Sequence, residues 1–190
     1  MIKKRLAVAT VGAVALIGSL ALPAFAADPS DVTITGDTLS ITSPSVGNFS
    51  GVTLNGTARS ATATFAPFTV TDARGTGAGW NVTVEATQFA EWETDEYVTS
   101  GKTIPASSVS MPLVSAAKAD ATSSALPSIT AGPYTIDSGS SVQLASAAAD
   151  GTGMGSYTFS QGGSLTLSVP ASAYARTYRS DMTVSVNSGP

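Results

Sequence analysis

Beyond residue 31 the chain is dominated by short runs in which apolar and small polar residues alternate, the two-residue period of strands that bury one face. Val32-Thr33-Ile34, Leu39-Ser40-Ile41 and Ala63-Thr64-Phe65 read as early strands, broken at Gly36 and at residues 44–47. Residues 68–84 join a strand, a polar glycine turn and a second strand on which Trp80, Val82 and Val84 share one face while Asn81, Thr83 and Glu85 share the other. Tyr157-Thr158-Phe159, Leu165-Thr166-Leu167-Ser168-Val169 and Met182-Thr183-Val184-Ser185-Val186 repeat the alternation, punctuated by Gly162-Gly163 and Pro170. Residues 115–125, rich in Ala, Ser and Thr, fit a short helix or a loose crossing loop. Many short strands at this spacing predict an all-β chain folded as a single-domain antiparallel β-sandwich.

The first residues follow a different pattern. Lys3-Lys4-Arg5 precede an uncharged run over residues 6–22 and then Ala24-Phe25-Ala26, the basic, apolar and small-residue parts of a secretory signal. The apolar run is just short of bilayer-spanning length, which leaves an uncleaved anchor as the alternative; Pro23 and the site formed by Ala24 and Ala26 favour cleavage after Ala26. The expected division is a signal peptide at 1–26 and one domain at 27–190, which at 164 residues (190 less 26) can bury a sizeable core. The leader holds three of the nine Lys and Arg and none of the thirteen acids, so six cations against thirteen acids leave the remainder at −7. Such a domain is poorly suited to nucleic acid, whose affinity comes mainly from cations facing phosphates.

There is no Cys, although the expected route leads to a compartment where disulfides form, and no His. Stability then rests on packing and sheet hydrogen bonds. The commonest general base and the usual zinc ligands are missing, which argues against ordinary enzyme chemistry and against a zinc site.

The segment 68–84, FTVTDARGTGAGWNVTV, resembles the first signature of the WxL-domain family, the non-covalently attached cell-wall proteins of Gram-positive bacteria. The family pattern runs through an Asp-x-Arg-Gly-Thr-Gly-x-Gly turn, here carried by Asp72, Arg74, Gly75, Gly77 and Gly79, into a Trp-x-Leu strand, here Trp80-Asn81-Val82. Val82 replaces the usual Leu and keeps an apolar side chain on the same face. Residues 153–190 follow the family's C-terminal layout: a Gly-aromatic strand at 155–159, Leu-x-Leu-x-Val-Pro at 165–170 and a Tyr-led final strand at 178–190. Thr87-Gln88-Phe89 and residues 104–111 fit its middle section. In the second, degenerate motif Val184-Ser185-Val186 stands where the family has Trp-x-Leu. The resemblance implies a domain that binds peptidoglycan or another wall glycan, needs no cofactor, and has a membrane-anchored WxL-interacting protein as a surface partner.

Several residues are candidates for chemistry or binding. An exposed Trp80 can stack on a sugar ring, whereas a buried one fills the core, the reading that the shared face with Val82 and Val84 favours. Asp72 and Arg74 fit a structural brace; the alternative is an Arg74 fork that meets an anionic wall group. Gly75, Gly77 and Gly79 echo phosphate loops, but a strand follows instead of a helix, so they read as backbone positions needing positive φ or close approach. Residues 89–97 gather four acids and three aromatics, Trp92 and Tyr97 among them. They read as a solvated hairpin edge, made acidic so that it does not pair with other chains, with a sugar-binding rim or a weak calcium site as alternatives. Glu91 and Glu93 share a strand face, yet nothing else marks the cleft that glycoside hydrolysis requires.

The expected function is a secreted, non-covalent wall-binding surface protein. The sequence reaches Pro190 without a sorting signal or a lipid-accepting Cys, which fits attachment by the domain itself. The rival reading is a structural subunit of a surface complex held by a membrane-anchored partner, which the missing second Trp favours. A lone carbohydrate-binding module for other glycans is a third.

Overall fold

Alternation of apolar and polar residues produces strands throughout the computed structural model, which describes residues 30–190. The expected signal peptide at 1–26, with Ala24 and Ala26, lies outside the described residues. In chain order the first strands are β1 (Leu39–Ile41), β2 (Arg59–Ala63), β3 (Phe68–Asp72), β4 (Trp80–Ala86), β5 (Ala90–Glu93), β6 (Glu96–Tyr97), β7 (Val109–Met111) and β8 (Val114–Lys118). There follow β9 (Ser128–Ile129), β10 (Tyr134–Thr135), β11 (Val142–Ala147), β12 (Gly155–Gln161), β13 (Leu165–Val169), β14 (Tyr178–Arg179) and β15 (Met182–Ser188).

All pairings between these strands are antiparallel and form four sheets, in the orders β1-β3-β12-β8, β10-β7-β13-β2, β15-β4-β11-β9 and β14-β5-β6. Their apolar faces close on one shared core, as an all-β sandwich requires. The strands lie within one compact unit, Ile34–Pro190. The core is centred on aromatic side chains from two sheets. Phe68 and Phe159, register partners on β3 and β12, stack with centroids 5.0 Å apart, and Trp80 of β4 meets Phe159 edge-on at 6.2 Å and Tyr157 at 6.1 Å. Such pairs contribute roughly 0.5–1.5 kcal/mol beyond their buried area. On β11 the register shifts between Gln143 and Ala145, and this bulge lets the consecutive Leu144 and Ala145 both be buried.

The expected strands at Leu39-Ser40-Ile41, 157–159, 165–169 and 182–186 form. Three expectations need correction. Val32-Thr33-Ile34 makes no strand, and Val32 and Ile34 are 83% and 89% exposed: the run alternates, but no neighbouring strand offers it a ladder. In Ala63-Thr64-Phe65 the strand ends at Ala63 and Phe65 is left with an isolated bridge to Val46. Residues 115–125 are neither helix nor loose loop at their start, since β8 pairs with β12 from Val114 to Lys118 at the sheet's edge. Small Ala and Ser side chains there carry little hydrophobic signal, and backbone hydrogen bonds decide the conformation.

Candidate functional site

The signature turn begins at Asp72, the buried last residue of β3. Two residues on, Arg74 folds back: Nε donates to Asp72 Oδ1 at 2.8 Å and Nη2 to Oδ2 at 2.9 Å, a two-pronged pair. The same guanidinium donates from Nη2 to the Gly79 carbonyl at 2.7 Å and from Nη1 to Ser188 Oγ at 2.6 Å. It thereby ties the two ends of the turn to each other and to the C-terminal end of β15. The hydrogen bond from Arg74 holds the Asp72 carboxyl below its ordinary pKa, against a smaller opposing effect of burial, and the carboxylate in turn raises the arginine. With only 16% of its side chain exposed and its donors turned inward, Arg74 is a brace.

Gly75, Gly77 and Gly79 take positive φ of 68°, 64° and 73°, the region that favours glycine. Gly79 also lies where a Cβ would come 2.5 Å from the Ala147 carbonyl oxygen, so the turn packs directly on β11.

Trp80 follows at once and is fully buried. Its indole N–H donates to the Gly153 carbonyl at 2.8 Å, and a Cβ on Gly153 would lie 2.7 Å from that nitrogen. The indole is a core side chain, with no face left for a sugar. The pairing of β4 with β15 sets the two motif strands side by side, with Val82 opposite Val186 and Val84 opposite Val184. Val82 is fully buried, whereas Val184 and Val186 are half-buried. Asn81 and Asn187, a register pair on the other face, are joined side chain to side chain at 3.1 Å. Val184 borders a hollow of 170 Å³ beside Pro44, Val46 and Phe65. The signature residues are thus brought together as the joint between two sheets, with Asp72, Trp80 and Val82 buried and the Arg74 donors taken up within the protein.

The acidic aromatic segment is a hairpin, β5 and β6, turned at Thr94 and Asp95, both with positive φ. Trp92 and Tyr97 pack edge-on at 4.8 Å, Arg179 lies over the Trp92 ring at 4.3 Å, and the Tyr97 hydroxyl donates to Asp181 Oδ2 at 2.7 Å. Burial, and then this bond to a carboxylate, raise the Tyr97 phenol above its usual pKa. One expectation about this edge is corrected: Glu91 is not solvated. It is buried, its Oε1 receives Arg176 Nε at 2.9 Å, and its Oε2 accepts the Lys102 backbone N–H at 2.7 Å. It is therefore not free to serve with Glu93 as an acid–base pair. No group of three or more Asp and Glu able to hold a metal ion occurs among the described residues.

Beside this hairpin runs a groove that the sequence does not reveal. One part, of 730 Å³, is lined by Asn48, Phe49, Trp92, Tyr178, Arg179 and Asp181; the next, of 620 Å³, by Val52, Leu54, Ile104, Leu167, Tyr174 and Arg176. They meet at Phe49, Phe89, Thr177 and Tyr178, where Phe49 stands edge-on to Phe89 at 5.4 Å. The Tyr178 hydroxyl donates to the Tyr174 carbonyl at 3.1 Å, and burial raises its pKa. Lys102 Nζ sits 4.6 Å from the centre of the Tyr174 ring. The available signal was Arg176 and Arg179, which follow Tyr174 and Tyr178 closely in a chain otherwise poor in cations.

Over residues 27–190 the chain matches the sequence model of a family described as WxL domain, surface cell wall-binding. No curated protein and no solved structure matches it.

Proposed function

Since the chain belongs to the WxL-domain family of cell wall-binding surface proteins, we propose that residues 27–190 form a secreted domain that attaches without a covalent link to peptidoglycan. The observation that carries this reading is the reach of the family match across every strand of the fold, from β1 to β15. On this reading the leader ends at Ala26, and the signature serves the wall indirectly, by holding two sheets in the register on which the rest of the surface depends. A domain at −7 gains nothing from net attraction to an anionic wall, so binding rests on shape, hydrogen bonds and ring stacking, and added salt does not release it. The test is co-sedimentation of the purified domain with isolated sacculi, with and without their secondary polymers. Saturable binding to stripped sacculi supports peptidoglycan; binding only to unstripped sacculi moves the ligand to a secondary polymer.

A second reading, a subunit held by a membrane-anchored protein, is favoured by β15. This seven-residue strand is paired with β4 on one side only, so it offers an edge to which a partner strand can add. A stoichiometric partner recovered from detergent-solubilised membranes, together with no binding to sacculi, would favour it.

A further inference from the structure

Half of the cations in residues 27–190 surround the groove. They are Lys102, Arg176 and Arg179, in a domain whose acids outnumber its cations thirteen to six. Two of the three are held against aromatic rings, Lys102 over Tyr174 and Arg179 over Trp92, and two are balanced by single carboxylates, Arg176 by Glu91 at 2.9 Å and Arg179 by Asp181 at 3.6 Å. Lys102 makes no ion pair with a carboxylate among the described residues, so its charge has no direct partner, although Glu93, Asp95 and Glu96 of the neighbouring hairpin keep the surroundings acidic. Tyr174, 55% exposed, turns an aromatic surface outward at the same place, and Tyr178 joins the two parts of the groove beneath it. Amide and hydroxyl side chains of Asn48, Thr177 and Ser180 line the walls between the rings.

Flat rings beside amide and hydroxyl groups suit the apolar faces and hydroxyl edges of pyranose rings, while a cation fixed beside a ring suits a carboxylate carried on the sugar. A peptide helix would need a continuous apolar floor, and here the Phe49–Phe89 floor is interrupted by charged and hydroxyl-bearing walls. We propose that this groove binds a glycan strand whose sugars bear carboxylate groups, with Tyr174 and Tyr178 against sugar rings and Lys102 facing a carboxylate. The proposal rests on the wall-binding reading and assigns its contact to the groove, away from the signature turn.

The test compares wild type with Tyr174→Ala and Lys102→Glu in sedimentation with stripped sacculi. Both side chains are exposed, so the variants are expected to keep the wild-type melting temperature. Lys118→Glu, on β8, is the charge-matched control. Each groove variant is expected to weaken binding roughly tenfold, the loss of one ring stack or one paired charge, and the control to leave it unchanged. Amidation of the sacculus carboxylates should bring wild-type affinity down to that of Lys102→Glu. Groove variants that bind like wild type would overturn the assignment while leaving wall attachment intact. Weakening by Lys102→Glu alone would replace it with charge attraction lacking ring contact. If wild type itself fails to sediment, the wall-binding reading falls and the groove assignment with it.

Discussion

Replacing Trp80 by Phe separates a core role from a contact role. The change removes the hydrogen bond to the Gly153 carbonyl and leaves that acceptor buried without a partner, a loss of about 1–3 kcal/mol. It also removes the nitrogen-bearing edge of the indole from a fully buried site, at roughly 1–2 kcal/mol for the missing atoms and the space they leave. The two overlap, so the expected destabilisation is about 2–4 kcal/mol, within the roughly 5–15 kcal/mol typical of a domain and short of unfolding it. Urea titration followed by the fluorescence of Trp92, the remaining tryptophan, would measure it; at about 2–4 °C per kcal/mol the midpoint on heating should fall by roughly 5–15 °C. Sacculus binding by the folded variant should stay at the wild-type level. A variant as stable as wild type that no longer binds would refute the reasoning, because the indole would then face ligand. Gly153→Ala should be strongly destabilising in either background, because a new Cβ at this positive-φ position would collide with the Ala147 Cβ whether or not the indole is there.

Removing the fork with Arg74→Ala should destabilise by about 3–5 kcal/mol, since Asp72 stays buried without its partner; chemical denaturation measures this, and a change under 1 kcal/mol would show that the brace contributes little. The lowered pKa of Asp72 gives a pH dependence of definite sign: its contribution is present above the ordinary value of about 3.9 and is lost as pH falls through the depressed folded value. Melting temperatures followed from about pH 5 downward should therefore drop more steeply for wild type than for Asp72→Asn. Two turn glycines should differ. Gly75→Ala meets nothing and incurs only the backbone strain of about 1–2 kcal/mol, whereas Gly79→Ala adds a collision with the Ala147 carbonyl and should be clearly worse in the same melting assay.

The period-two alternation was enough to place β3, β4, β12 and β13, which carry large apolar side chains at alternate positions and bury that face, and β15, whose Met182, Val184 and Val186 are half-buried. It misled at Val32-Thr33-Ile34, where the pattern exists without a partner, and it was silent at β8, whose small side chains alternate in nothing that a transfer energy registers. In the candidate site, the shared face of Trp80, Val82 and Val84 already leaned toward the core. That Arg74 ends on Ser188 was not legible, because the two residues are 114 positions apart.

The sequence by itself determined the strand-rich architecture, the anionic character and the family, since each depends on local periodicity, on composition or on a run of fixed residue types. Only the tertiary structure decided that the signature faces inward, that its two motif strands are neighbours, and that the cations of an acidic chain gather with tyrosines beside one groove. Those are matters of non-local pairing. An antiparallel ladder can bring any two strands together, and which side chains then meet is set by register and by the closing of sheets on a common core.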